Sequence, residues 1–73
     1  MSDKEKMQRA IKSVIYGAFK NETECAAVMG WPRQRLNKIT NGAKEPSVSE
    51  MGAIALATGS TLEKISNIFL LYW

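Results

Sequence analysis

An all-α chain of five short helices is the fold class that the sequence predicts, and three observations predict it. Apolar residues recur at three- and four-residue intervals instead of alternating. Most of these runs open on a small polar residue able to cap a helix, and they close on glycine or on Asn-Gly. The connections between runs are short and leave no room for a sheet. At 73 residues with 45% hydrophobic content, the chain is expected to form one domain, 1–73, near the lower size limit for an unassisted core.

The first helix is expected to begin at Ser2 or Asp3, since Ser2 followed by Glu5 is a capping box. Met7, Ala10, Ile11, Val14, Ile15, Ala18 and Phe19 then form its apolar stripe, with Lys4, Lys6, Arg9 and Lys12 opposite. A second box, Asn21 with Glu24, opens a short helix that Gly30 ends. Pro32 suits the first position of the third helix, whose inward residues are Leu36 and Ile39 and whose stop is Asn41-Gly42. After a loop from Ala43 to Pro46, a third box, Ser47 with Glu50, starts a helix with Val48, Met51, Ile54 and Ala55 facing inward. Gly59 ends it. Thr61 then caps a last helix carrying Leu62, Ile65, Ile68 and Phe69.

Composition excludes several classes of function. There is no histidine, and the single cysteine, Cys25, falls where a small core residue is wanted; neither imidazole chemistry nor a thiolate metal cluster is available. No glycine-rich phosphate loop, nucleophile elbow or zinc-protease pattern occurs, so no enzyme activity, cofactor, metal or small-molecule substrate is expected. The charged start, MSDKEKMQRA, lacks a secretory apolar run, and the apolar tail from Ile68 to Trp73 is too short to span a bilayer. A cytoplasmic protein of bacterial or phage type, without a membrane partner, is expected.

The net charge is only +3, but its distribution is uneven. No acid lies between Cys25 and Ala43, where Arg33, Arg35 and Lys38 fall. Most of the acids stand at helix starts, as the helix macrodipole favours. The uninterrupted basic segment suits a polyanion.

Within that segment the spacing describes two short helices meeting at a tight turn. Ala26 must be small where the second of the pair crosses closely, and Gly30 permits the turn. Leu36 and Ile39 anchor the second helix and leave Arg33, Gln34, Asn37 and Lys38 pointing away. Arginine and lysine donate to guanine O6 and N7, and Gln or Asn can make paired bonds to adenine. This is the layout of a helix-turn-helix at helices 2 and 3, whose second helix enters the DNA major groove.

The run from Glu22 to Gly42 resembles the helix-turn-helix of the lambda-repressor-like family, the Cro and Xre-type regulators. The resemblance continues through Pro46-Ser47 and the Gly59–Thr61–Leu62 helix start, so it covers nearly the whole chain. It implies a compact five-helix DNA-binding domain. By the same resemblance Arg33, Gln34 and Lys38 match base-reading positions, with Asn37 on the same face. Asn41 matches a phosphate-contacting position, Lys44 is a second backbone contact, and Arg35 points sideways toward a phosphate or solvent. Three residues depart from the pattern: Glu22 replaces a phosphate-bonding glutamine and would repel the backbone, Pro32 replaces a hydroxyl cap, and Trp31 replaces a smaller aliphatic.

The tail, 68–73, and Leu56 carry more apolar surface than so small a core can use. Leu56, Phe69, Leu71, Tyr72 and Trp73 are therefore expected to form a symmetric homodimer interface; the alternative is a tail folded back onto Met7, Ile11 and Ile15. A two-fold dimer sets two recognition helices roughly 34 Å apart, which implies a short palindromic operator in double-stranded DNA. The function expected is a sequence-specific transcriptional regulator. A second reading keeps the fold but makes it a protein-interaction module, such as an antirepressor.

Overall fold

The computed structural model describes residues 2–72. Trp73, expected at the dimer interface, lies outside them. Five helices follow in order: α1 (Asp3–Ala18), α2 (Glu22–Met29), α3 (Arg33–Thr40), α4 (Val48–Thr58) and α5 (Leu62–Tyr72). No strand occurs among the described residues. α1 and α4 pack on α5, while α2 bridges α3 and α4.

The core forms where the apolar stripes meet. Met7, Ile11 and Ile15 come from α1, Cys25 and Ala26 from α2, Leu36 and Ile39 from α3, Ile54 and Ala55 from α4, and Ile65 and Phe69 from α5. Each fully buried Leu or Ile contributes roughly 1.5–3 kcal/mol by leaving water. Burial raises the Cys25 thiol pKa, with the charge of Glu22 adding to the effect, so this thiol stays protonated and unreactive.

The helix starts follow the cap signals. The side chains of Ser2, Asn21 and Ser47 accept from the backbone N–H of Glu5, Glu24 and Glu50. Only Ser47–Glu50 among these closes reciprocally, with the Glu50 carboxylate accepting from Ser47 N. Glu24 instead accepts from Lys20 N, one residue before its cap. Pro32 is the N-cap of α3 and not its first helical residue, and it provides no side-chain cap.

Ala18, the last residue of α1, is exposed despite its place on the stripe, and two further stripe residues are not where periodicity puts them. Val48 and Leu62 are exposed, not inward. Both open a helix, and helical Cβ atoms tilt toward the N-terminus, so a first-turn side chain overshoots the core.

The tail corrects a further expectation. Because α5 runs on as a helix through Tyr72, its apolar residues divide between two faces. Phe69, four residues after Ile65, is 4% exposed and belongs to the core, not to the outer surface expected of it. Tyr72 is half-buried and lines a small depression with Lys4, Met7 and Gly42. Leu70 and Leu71 face outward. The tail thus folds back through Phe69 and Tyr72 and leaves two leucines in water.

Candidate nucleic-acid interface

The turn between α2 and α3 is built as its spacing requires. Gly30 adopts φ 73°, the left-handed conformation that glycine reaches without strain. Its N–H bonds to Ala27 O, while Trp31 N bonds to Ala26 O at 2.9 Å, which satisfies the last carbonyls of α2. Ala26 is buried beneath this turn, and Leu36 and Ile39, both without exposed surface, pin α3 to the core. Thr40, four residues after Leu36, is buried with them. Thr40 is not among the residues expected inward, although its i+4 spacing from Leu36 places it on that face.

With that face pinned, Arg33, Gln34 and Lys38 stand exposed. No other described residue holds any of these three side chains by a hydrogen bond or an ion pair. Asn41 is exposed at the C-cap, where its carbonyl accepts from Gln8 Nε2 of α1.

The remaining polar residues of α3 are tied to two carboxylates. Glu22 accepts from Thr40 Oγ1 at 2.5 Å and from Asn37 Nδ2 at 2.9 Å, both through Oε1. Its Oε2 accepts from Tyr16 OH at 3.1 Å. Burial alone would raise the Glu22 pKa, but these three donors and the charge of Lys12 outweigh it and lower the pKa. The same contact raises the Tyr16 phenol. Glu22 is therefore held by donors of this chain, yet it stays ionised and keeps the negative charge from which repulsion of a phosphate backbone is expected. Asn37 is half-buried, and part of its donor capacity is spent inside the chain.

Glu50 is the second anchor, and its side chain is 4% exposed. Its Oε2 accepts from Lys44 Nζ at 2.9 Å and Arg35 Nε at 3.1 Å. The Ser47 N–H is the chief cause that holds its carboxyl at about 2; the two cations add to that and burial opposes it. Arg35 also lies 4.1 Å above the Trp31 ring, a cation–π contact that accounts for the aromatic residue at this position. Arg35 does point sideways, but onto Glu50 and Trp31 and not freely to solvent. Its positive charge, like that of Lys44, is shared with Glu50. The N3 position of a capping box marked Glu50 in the sequence, but nothing there linked it to Arg35, fifteen residues away.

A family model for the helix-turn-helix domain matches residues 21–68, from the cap of α2 through most of α5. The chain belongs to the Cro- and Xre-like helix-turn-helix family. No match was found among curated proteins or among solved structures. This helix-turn-helix protein is a DNA-binding regulator, and its family is regulatory and not enzymatic. No helix of the described residues is long and apolar enough to cross a membrane.

Away from α3, Leu56 is 86% exposed, as its place off the inward stripe of α4 predicts. With Val28, Met29, Ala53 and Ala57 it lines an open groove of about 340 Å³ between α2 and α4.

Proposed function

We propose that this protein represses or activates transcription by reading a specific operator through α3. The observation that carries the proposal is the exposure of Arg33, Gln34 and Lys38, none of them paired among the described residues, on a helix whose opposite side is locked into the core. Arg33 and Gln34 lie in the first turn, the part of a recognition helix that reaches base edges. Arg33 and Lys38 suit guanine, and Gln34 suits adenine. Asn41 and Lys44 flank the exit of the helix and suit phosphates, with Arg35 as a third backbone contact.

A single α3 reads about four or five base pairs, too few to specify one site, so the reading includes a two-fold homodimer on a palindrome. Leu56 and Leu71, both strongly exposed, are the residues proposed for its interface, with the partly buried Tyr72 and with Trp73 at the end of the chain. Selection from random duplexes tests the whole reading. An enriched palindrome is the expected result, and no enriched sequence would overturn it. Light scattering at tens of micromolar tests the dimer; a strict monomer removes it.

One observation favours a second reading. Glu50 cancels part of the charge of Arg35 and Lys44, while Val28, Leu56, Leu70 and Leu71 remain in water. A protein-interaction module such as an antirepressor would use those apolar residues and need little positive charge. In that case truncation of the tail abolishes partner binding, and Arg33→Ala changes nothing.

A further inference from the structure

The contact between Glu22 and Asn37 bears on what α3 can read, and the inference below rests on the DNA-reading assignment above. An asparagine amide has two different ends, a carbonyl that accepts and an NH2 that donates, and a freely rotating amide can present either to a base. Asn37 does not rotate freely. Its neighbour is a carboxylate, which when ionised only accepts, so Nδ2 must face Glu22 and Oδ1 must face away. Flipping the amide would set the Asn37 carbonyl against a negative oxygen.

The carboxylate is itself held. Thr40 Oγ1, on a fully buried residue, donates to the same Oε1, and Tyr16 OH donates to Oε2 from α1. Turning Glu22 to release Asn37 would break both bonds. Asn37 Oδ1, by contrast, has no partner among the described residues, and it is not among the buried polar atoms left without one; it is open to solvent.

We propose that Glu22 is a positioning residue for specificity: it fixes the Asn37 amide with its carbonyl outward, so that α3 selects a base bearing an exocyclic amino group. Adenine N6 and cytosine N4 are the major-groove amino donors; guanine O6 and N7 and thymine O4 are acceptors and would meet Oδ1 lone pair to lone pair. One position of each half-site therefore favours A or C over G or T on the strand that Asn37 faces. The preference should be roughly fivefold, the order a single hydrogen bond supplies.

The test is selection from random duplexes with wild type, Asn37→Ala and Glu22→Gln, read position by position. Expected is one position that prefers A or C in wild type and is indifferent in Asn37→Ala. In Glu22→Gln, whose amide can face Asn37 either way round, that preference should relax toward onefold while the preferences at other positions stay. A merely structural role for Glu22 would weaken binding at all positions alike and leave the preference intact; that result overturns the proposal. So does a G or T preference at the Asn37-dependent position, or an Asn37→Ala profile identical to wild type. Should Glu22→Gln fail to fold, the wild-type operator can carry a base analogue without the exocyclic amine. Wild type should lose roughly fivefold on it and Asn37→Ala nothing; equal losses refute the proposal. Absence of any enriched duplex would remove the DNA-reading assignment itself, which is distinct from an enriched duplex with the wrong base.

Discussion

Glu22 and Glu50 each stand in the first turn of a helix, and each reaches across to α3, but the company they keep differs in kind. The side chains that hydrogen-bond Glu22 belong to Thr40, Asn37 and Tyr16, all neutral donors. Those around Glu50 belong to Arg35 and Lys44, both cations. Glu22 pairs with no cation of α3 and holds the Asn37 amide instead. Glu50 leaves Arg33, Gln34 and Lys38 alone and withdraws charge beside them. Two acids of the same type, both at helix starts, thus separate orientation from electrostatics. The positive potential left for DNA rests mainly on Arg33 and Lys38.

The largest effect that would sharpen this contrast is on stability. Glu50→Ala removes a buried carboxylate with its capping box and should cost about 2–3 kcal/mol. That lowers the melting temperature by roughly 10–20 °C in a domain of this size, measurable by circular dichroism. Glu22→Ala, whose partners are neutral and whose buried partner Thr40 keeps a bond to Asn37 O, should cost about half as much; equal losses would erase the distinction. Acid gives the same information. The Glu50 carboxyl sits at about 2 against an ordinary 4.5, so its stabilisation is complete above pH 4.5 and is lost as pH falls toward 2. Glu22 is lowered too and adds in the same direction. A melting temperature that falls through this window in wild type should fall less steeply in Glu50→Gln.

Next in size are the exposed residues proposed to read bases. Arg33→Ala or Gln34→Ala should each weaken binding to the selected duplex by about 1–3 kcal/mol and relax preference at one position. Neither should move the melting temperature by more than a degree or two, because neither side chain has a partner within the described chain. The smallest effect concerns salt. A free phosphate contact changes the log–log salt slope by about 0.9. Lys44→Ala should change it by less, since Glu50 already holds that charge, and Glu50→Gln should steepen it by releasing Lys44 and Arg35. A full unit lost in Lys44→Ala would show that DNA displaces Glu50 completely.

The parts of this protein that were legible in its sequence are those that local chemistry decides. Ser47 with Glu50 and the helix stops at Gly30 and Gly59 depend on residues a few positions apart, and they stand where expected. So do the anchors Leu36 and Ile39 and the outlying Leu56. What escaped is decided by distances between helices. Thr40 lies eighteen residues from Glu22, and Arg35 fifteen from Glu50, so no periodicity could match them. Periodicity names the face of a helix but not what that face meets. Phe69 illustrates this: apolarity marked it equally for a dimer and for the core, and the register of α5 against its neighbours put it inside.

The exit of α3 adds one consequence. A methyl at Gly42 would come within 2.6 Å of Lys4 Cε and 3.0 Å of Met7 Cε, so the first turn of α1 rests directly on the backbone there. Gln8 grips the Asn41 carbonyl one residue earlier. With Glu22 and Glu50 bracing its flanks, the helix proposed to read DNA is gripped by three neighbours and has little freedom to tilt on docking. Whatever mismatch of shape exists must then be absorbed by the duplex. Pliant base steps that no side chain touches would accept the protein more readily than stiff ones.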